Sequence, residues 1–217
     1  MATRIGPRHY AIPSGLILLW DAADTRSYIP GASIIYDLTG NYNGTVGAGC
    51  SYSTNGGGSI TISGPTAIIS NSSINISSQN YTVVAATRYT AGSNRGRMLN
   101  AINNNWLLGH WGGQAEKYYA EGWISDSSGG PGDTTWRVFT GTGDPTTDDW
   151  KLYVNSELRA SNGGGSQGPN GIVIGRNYTY GENSEGEFSF LAIYNRILTE
   201  REILINYGFI KGRYNLP

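Results

Sequence analysis

The feature that most restricts the fold of this chain is a long series of short β-prone segments that ends in one capped helix. Segments rich in Val, Ile, Thr and aromatic residues recur along the chain, separated by Gly, Asn or Asp. The longest is Tyr81–Tyr89. Short strands at such regular spacing are typical of two packed antiparallel sheets. We therefore predict an all-β fold, a two-sheet antiparallel β-sandwich of about a dozen strands.

The helix signal lies directly after the last strand-like run. Thr199 and Glu202 have the spacing of a capping box, in which each side chain satisfies a backbone N–H at the helix start. Ile203, Tyr207 and Ile210 then recur at helical spacing and define one apolar face. The sequence therefore predicts one short amphipathic helix near the end of the chain.

Length and composition indicate a single domain. The chain has 217 residues, of which 14% are charged and 32 are glycine, and β-sandwiches of this length commonly form one domain. Residues 1–14 are polar and irregular and contain two prolines, so we predict an N-terminal arm there. Residues 15–217 then form one sandwich domain, with the helix at about 199–212.

Charge and hydropathy argue against two classes of partner. The net charge is −1 and no basic stripe is present, so we expect no binding to nucleic acid. No apolar run is long enough to span a bilayer, and we expect no membrane partner. Residues 1–10 lack the apolar segment of a secretory signal, so we expect synthesis in the cytoplasm. Cys50 is the lone cysteine, which we interpret as a small apolar filler.

Four stretches of the chain together carry a family resemblance. Residues 16–28 read LILLWDAADTRSY, residues 36–45 read YDLTGNYNGT, residues 152–158 read LYVNSEL, and residues 190–203 read FLAIYNRILTEREI. In this order they resemble the laminin-G-like, concanavalin A-like jelly-roll domains, in particular those in structural proteins of tailed bacteriophages. The resemblance covers about residues 15–214 and implies a jelly roll.

The resemblance also implies a function. We expect a non-enzymatic structural protein of the virion, a capsid decoration or cement protein that binds the major capsid protein or other virion proteins and forms a homo-oligomer. The alternative is a lectin-like, carbohydrate-binding module of a phage tail or surface protein, with surface glycans as partners. That alternative predicts a sheet face with exposed Trp or Tyr beside polar groups. We expect no cofactor in either case.

Aromatic residues in the middle of the chain fit both hypotheses. They could stack on sugar rings, or they could form the core and subunit contacts, where Trp and Tyr are enriched. We favour core and interface, and predict strands over residues 106–111 and 118–124. The aromatic residues concerned are Trp106, Trp111, Tyr118, Tyr119, Trp123 and Trp136.

An acidic cluster is the main candidate for catalysis. Concanavalin A-like glycosidases place paired carboxylates on one face of a strand, and Glu185 and Glu187 would share a face if the strand begins early. Glu182 completes the cluster, but the central aspartate of the glycosidase motif is missing. We therefore expect no enzymatic activity and assign no catalytic residue.

Metal binding has weak candidates. Oxygen ligands for Ca²⁺ could come from two groups of aspartates, without the spacing of an EF-hand. The two groups are Asp144, Asp148 and Asp149, and Asp21 and Asp24. His9 and His110 are far apart and no cysteine pair accompanies them, which argues against zinc. We therefore assign no metal ligands.

Overall fold

Two antiparallel sheets packed face to face form the protein, which confirms the predicted fold class. The computed structural model describes residues 12–64, 66–90, 92–93, 95–176 and 181–216. The predicted arm, residues 1–14, lies almost wholly outside these ranges, so its boundary with the sandwich domain stays a prediction.

Fifteen strands and one α-helix lie in the described ranges. They are β1 (Leu16–Asp21), β2 (Ile34–Ile35), β3 (Gly44–Val46), β4 (Cys50–Ser53), β5 (Ser59–Ile62), β6 (Ile69–Asn75), β7 (Tyr81–Tyr89), β8 (Leu99–Asn100), β9 (Trp106–Trp111), β10 (Gln114–Ala120), β11 (Arg137–Asp144), β12 (Asp149–Val154), β13 (Glu157–Asn162), β14 (Asn170–Ile174), β15 (Gly186–Tyr194) and α1 (Glu200–Tyr214).

The larger sheet has eight strands among the described residues, in the order β13-β12-β11-β7-β15-β5-β4, and β1 pairs with β15 beside β5. The smaller sheet has seven, in the order β10-β9-β8-β14-β6-β3-β2. Strands β7 and β15 form the middle of the larger sheet, and every residue of β15 is buried. Such apolar runs are typical of strands covered on both faces.

Large aromatic side chains fill the space between the sheets and satisfy one another's polar atoms. The hydroxyl of Tyr81 accepts a hydrogen bond from Trp106 Nε1 at 2.8 Å and lies 2.6 Å from the hydroxyl of Tyr118. Tyr118 donates in turn to the carbonyl oxygen of Thr142 at 3.0 Å. A buried hydroxyl without a partner costs about 1–3 kcal/mol. The chain of bonds therefore lets aromatic rings with polar atoms occupy a dry core.

The motif at residues 36–45 holds a turn rather than a ligand. The carboxylate of Asp37 accepts the backbone N–H of Leu19 at 2.8 Å through one oxygen and that of Tyr42 at 2.9 Å through the other. Gly40 has a φ of 90°, a conformation that favours glycine. Asp37 thereby ties this turn to strand β1.

Helix α1 covers the outer face of the larger sheet. Its capping box is confirmed, because Thr199 accepts from the backbone N–H of Glu202 and Glu202 accepts from that of Thr199. Ile203, Ile210 and other buried residues of the helix pack with the sheet in a second apolar cluster. No helix in the described ranges is long and apolar enough to cross a bilayer.

A buried carboxylate fastens this helix to the sandwich. Asp21, at the end of β1, is 0% exposed. It accepts from the hydroxyl of Tyr214 at 2.5 Å and from the backbone N–H of Ala23 at 2.9 Å, and it pairs with Arg213 at 2.7 Å. Burial raises the pKa of Asp21, and the positive charge of Arg213 opposes that rise. Asp21 is therefore a structural anchor, since its partners are the last helical turn and its own strand end.

Replacing Tyr214 by Phe tests this anchor. The change removes a donor from a buried carboxylate, so we expect the free energy of unfolding to fall by about 1–3 kcal/mol. Urea unfolding should show a lower midpoint with an unchanged slope. Tyr207→Phe, on the half-buried face of the same helix, is the control and should change the midpoint little. Equal midpoints for the two variants would contradict the anchor.

Candidate functional site

One cross-strand row marks the outer face of the smaller sheet. Its members are Tyr119, Leu107, Asn100, Val173, Ser70, Thr45 and Ile34, each opposite the next. Leu107, Asn100 and Val173 are at most 2% exposed, whereas Ile34 at the far end is 40% exposed. The middle of this outer face is therefore covered, and it is open to a ligand only towards its ends, one of which lies at Tyr119.

Three aromatic rings meet on this face and form what we call the aromatic platform: Trp111, Tyr119 and Trp123. The ring centroids of Trp111 and Trp123 are 5.1 Å apart, and those of Tyr119 and Trp123 are also 5.1 Å apart. The rings are tilted or edge-to-face, which aromatic pairs prefer to a parallel sandwich. All three side chains are half-buried. The platform thus presents aromatic surface to solvent from a rigid support.

A tight turn after β10 brings Trp123 onto the platform, so the predicted strand over residues 118–124 is confirmed only as far as Ala120 and was wrong beyond it. Glu121 has a φ of 58°, and its backbone N–H donates to Asn105 at 3.1 Å. This left-handed residue ends the strand at Ala120 and reverses the chain. Trp123 then forms an isolated β-bridge with Tyr119. A strand would instead have placed Trp123 three residues further along the edge.

A buried lysine holds the segment that follows the platform. Lys117 is 0% exposed, and its ammonium donates to the carbonyl oxygens of Asp126 at 2.8 Å and Gly129. Burial lowers the pKa of Lys117, and the charge of Asp126 opposes that shift. The two carbonyl bonds fix residues 126–129 against β10 and so limit the motion of the turn that carries Trp123.

Hydrogen-bonded polar groups, which we call the polar rim, border the platform: Glu182, Arg97, Asn105 and Glu121. Trp111 Nε1 donates to Glu182 at 2.8 Å, and Glu182 pairs with Arg97 Nε at 2.7 Å. Arg97 donates to the side-chain oxygen of Asn105 at 2.6 Å. The backbone N–H of Asn105 donates to Glu121 at 2.8 Å. Three hydrogen bonds and one ion pair thus connect Trp111, through Glu182 and Arg97, to Asn105 and Glu121.

Both carboxylates of the polar rim lie on unusual backbone. Glu121 has a φ of 58° and Glu182 a φ of 43°. For an L-residue the left-handed region costs about 1–2 kcal/mol. Residues held in sparsely populated conformations occur often at ligand sites, where the surrounding structure compensates for the strain.

The structure does not bring the three candidate glutamates together. Glu187 is nearly buried on the outer face of the larger sheet, where it pairs with Arg88 at 2.6 Å. Glu182 borders the platform on the opposite side of the sandwich. Glu185 lies between these positions in the chain, against Gly92. Sequence proximity therefore gave a false impression of one acidic cluster.

The aspartates that were considered as Ca²⁺ ligands, without being assigned, each contact another residue of the protein. Their partners are Thr146 for Asp144, Trp150 for Asp148, Lys151 for Asp149, Arg213 for Asp21 and Arg26 for Asp24. In the part of the chain that the structure describes, no group of three or more His, Cys, Asp or Glu side chains could hold a metal ion.

The remaining aromatic candidates belong to the interior or to the other face. Trp106 and Tyr118 are fully buried between the sheets, as the core hypothesis predicts. Trp136 is nearly buried on the α1 side, where the guanidinium of Arg88 lies 5.4 Å from its ring centroid. The sequence gives one partial indication of which tryptophans lie at the surface: Trp111 and Trp123 flank segments rich in Gly and polar residues.

His110 is a core residue. Its ring lies between Tyr89 and Phe139, with centroid distances of 4.5 and 4.9 Å, and Nδ1 is 3.4 Å from the hydroxyl of Thr87. Burial lowers its pKa to about 3. The other histidine, His9, lies outside the described residues.

His110→Phe should flatten the acid limb of the stability curve. In the unfolded chain a histidine titrates near about pH 6.5, and in the folded protein His110 titrates at about 3. Between these values the unfolded state binds one more proton, so stability falls as pH falls, by at most about 1.4 kcal/mol per pH unit. Urea unfolding at several pH values in this window measures the slope. Equal slopes for the two proteins would contradict this assignment.

Cys50 borders a cavity at one edge of the sandwich, away from the platform. The cavity has a volume of about 330 Å³ and is lined by Tyr28, Ala32 and Val46 among others. Burial raises the pKa of the Cys50 thiol to about 11, and the thiolate is the reactive form of cysteine.

We expect Cys50 to label slowly with a thiol reagent. In the folded protein at neutral pH its reaction with an aromatic disulfide should be at least about tenfold slower than in denaturant, because the thiolate is scarce. The absorbance of the released aromatic thiolate measures the rate for the folded protein and for the denatured protein. Equal rates would show that the thiol is reactive in the folded state.

The fold and the site permit comparison with known proteins. The family model described as the concanavalin A-like lectin/glucanases superfamily matches residues 63–204, more than half of the chain. The chain belongs to this superfamily. A search among curated protein sequences found no significant match.

Solved structures share the fold at low sequence identity. One is domain 4 of AbnA, an extracellular arabinanase from Geobacillus stearothermophilus, in complex with arabinotriose. Its TM-score is 0.67 at 16% identity, with 89% of this chain and 98% of that chain covered. Trypanosoma rangeli sialidase in complex with sialic acid has a TM-score of 0.66 at 14% identity, with 98% and 36% covered.

A third structure is the botulinum neurotoxin serotype D ligand-binding domain in complex with N-acetylneuraminic acid. Its TM-score is 0.63 at 21% identity, with 89% of this chain and 50% of that chain covered. The binding domain of Paraclostridial mosquitocidal protein 1 has a TM-score of 0.65 at 17% identity. This chain spans only 52% of that domain's length. At these identities the structures establish the shared fold alone.

Proposed function

We propose that this protein is a carbohydrate-binding module and that the aromatic platform with its polar rim is the binding site. The observation that carries the proposal is the cluster of three half-buried Trp and Tyr rings, one of which, Trp111, donates a hydrogen bond to the rim carboxylate of Glu182. This cluster favours the lectin-like alternative over the capsid decoration role that the sequence resemblance implies.

The chemistry of the site suits a sugar. A sugar ring has an apolar C–H face and a perimeter of hydroxyl groups, and an aromatic ring packs well against the apolar face. Ionised carboxylates accept hydrogen bonds from the hydroxyl groups. Glu182 lies beside Trp111, so one sugar could contact both an aromatic ring and a carboxylate.

The similar structures support this proposal. Three of the similar structures were solved with arabinotriose, sialic acid or N-acetylneuraminic acid bound. Of these, the arabinanase domain is covered over 98% of its length, so in that protein the matched fold is the one that was solved with the sugar. Which ligand this chain binds depends on the residues of its own site.

We infer that the acidic cluster singled out in the sequence does not act as a catalytic pair. Glycosidases use two carboxyl groups about 5–9.5 Å apart on either side of the bond that is cleaved. Here Glu187 pairs with Arg88 on one outer face, whereas Glu182 lies on the other, with two sheets between them. These glutamates therefore cannot act on one bond.

The virion setting stays a prediction of the sequence resemblance, as do the major capsid protein as partner, the homo-oligomeric state and the cytoplasmic site of synthesis. A carbohydrate-binding surface is compatible with a protein on the outside of a particle. Co-sedimentation with mature but not with immature particles would support the capsid role directly.

Trp123→Ala should abolish most of the affinity for a bound oligosaccharide. The change removes the central ring of the platform, and burying a large aromatic side chain contributes roughly 1.5–3 kcal/mol, or roughly 10- to 100-fold in Kd. A glycan array would identify the ligand, and isothermal titration calorimetry would measure Kd for both proteins.

Tyr36→Ala provides the matched control. Tyr36 is 46% exposed and lies outside the platform, next to β2, so its loss should leave Kd unchanged. Equal weakening by both variants, or a wild-type protein that binds no glycan on the array, would contradict the proposed function.

A further inference from the structure

We propose that the site selects neutral sugars and rejects sugars that carry a carboxylate. This inference rests on the proposed function and names the class of ligand. The geometry that points to it is the distribution of hydrogen-bond donors and acceptors around the aromatic platform.

The arginine of the polar rim is committed to the protein. Arg97 Nε pairs with Glu182 at 2.7 Å, and Arg97 Nη1 donates to Asn105 at 2.6 Å. The side chain is only 11% exposed. A guanidinium that recognises a sugar carboxylate would have to present two parallel N–H groups to it. Arg97 would have to break its bond to Glu182 to do so.

The guanidinium of a second arginine near the site, Arg95, is also hydrogen-bonded to acceptors of the protein. Gly113, in the turn between β9 and β10, donates to the backbone oxygen of Arg95 at 2.7 Å. The guanidinium of Arg95 donates to the carbonyl oxygens of Gly132 at 2.9 Å and Thr90 at 3.3 Å. Two cationic side chains at this end of the sandwich thus serve the protein's own acceptors.

The groups that the rim presents are acceptors. Glu121 is exposed, and the side chain of Glu182 is 38% exposed. An ionised carboxylate only accepts hydrogen bonds. Sugar hydroxyls can donate to carboxylates. A sugar carboxylate is itself an acceptor, and beside Glu182 or Glu121 it would meet like charge.

Matched ligand pairs test the proposal on the intact protein. Methyl-esterified and free tetragalacturonic acid differ only in their carboxylates, and sialyllactose differs from lactose by one added acidic sugar residue. We add cellohexaose and mannohexaose as neutral ligands. We expect calorimetry to show binding of one or more neutral ligands, with a Kd at least about tenfold below that of any acidic ligand. Neutral binding should also be insensitive to salt, because no charge pair forms.

Glu182→Gln should reduce the expected preference for neutral over acidic ligands. The amide keeps an acceptor for Trp111 but removes the charge that neutralises Arg97, so we expect neutral ligands to bind about three- to tenfold more weakly. Acidic ligands should bind more tightly than they do to the wild type. Tyr36→Ala should change neither affinity. If the Glu182 variant does not fold, the salt dependence of the wild type decides the question.

The outcomes separate this inference from the proposed function. Tighter binding of an acidic ligand, weakened by salt and abolished in Trp123→Ala, would overturn the inference and leave the proposed function standing. Binding of equal strength to both members of each pair would also overturn the inference. Failure of every neutral and acidic ligand, on the array and in calorimetry, would overturn both.

Discussion

The buried carboxylate of Asp21 determines which surfaces of this sandwich remain available. By accepting from Tyr214 and pairing with Arg213, it holds the last turn of α1 against the larger sheet. The helix then covers the outer face of that sheet with the apolar side chains of the second cluster. On the outer face of the smaller sheet, by contrast, the rings of the aromatic platform remain partly exposed at the end of the row where β10 lies.

The two outer faces differ in chemistry as well as in cover. Beneath the helix, the charged pair of Glu187 and Arg88 is largely buried and serves packing. On the opposite face, Trp111 and Trp123 remain half-exposed beside Glu182. The buried ammonium of Lys117 ties residue 126 to β10, close in sequence to Trp123, and under the proposed function this contact would help to position the ring in advance of binding. Such preorganisation lowers the entropic cost of binding.

Strand alternation, the capping box at Thr199 and Glu202, and the family motifs made the fold predictable from sequence, because each depends on residues close together in the chain. The platform was not predictable in that way. Tyr119 and Trp123 meet only because Glu121 adopts a left-handed conformation, which propensity does not favour for glutamate. The pairing of Glu182 with Trp111 joins residues 71 positions apart. Nothing local in the sequence reveals it.

Indole N–H resonances of the labelled protein offer the most direct test of a sugar site on the aromatic platform. The chain has six tryptophans. Titration with a neutral oligosaccharide that the protein binds should shift the indole signals of Trp111 and Trp123. The signals that should stay fixed are those of Trp20, Trp106, Trp136 and Trp150. A shift confined to Trp136, on the helix-covered face, or no shift at saturating ligand, would contradict the assignment of the site.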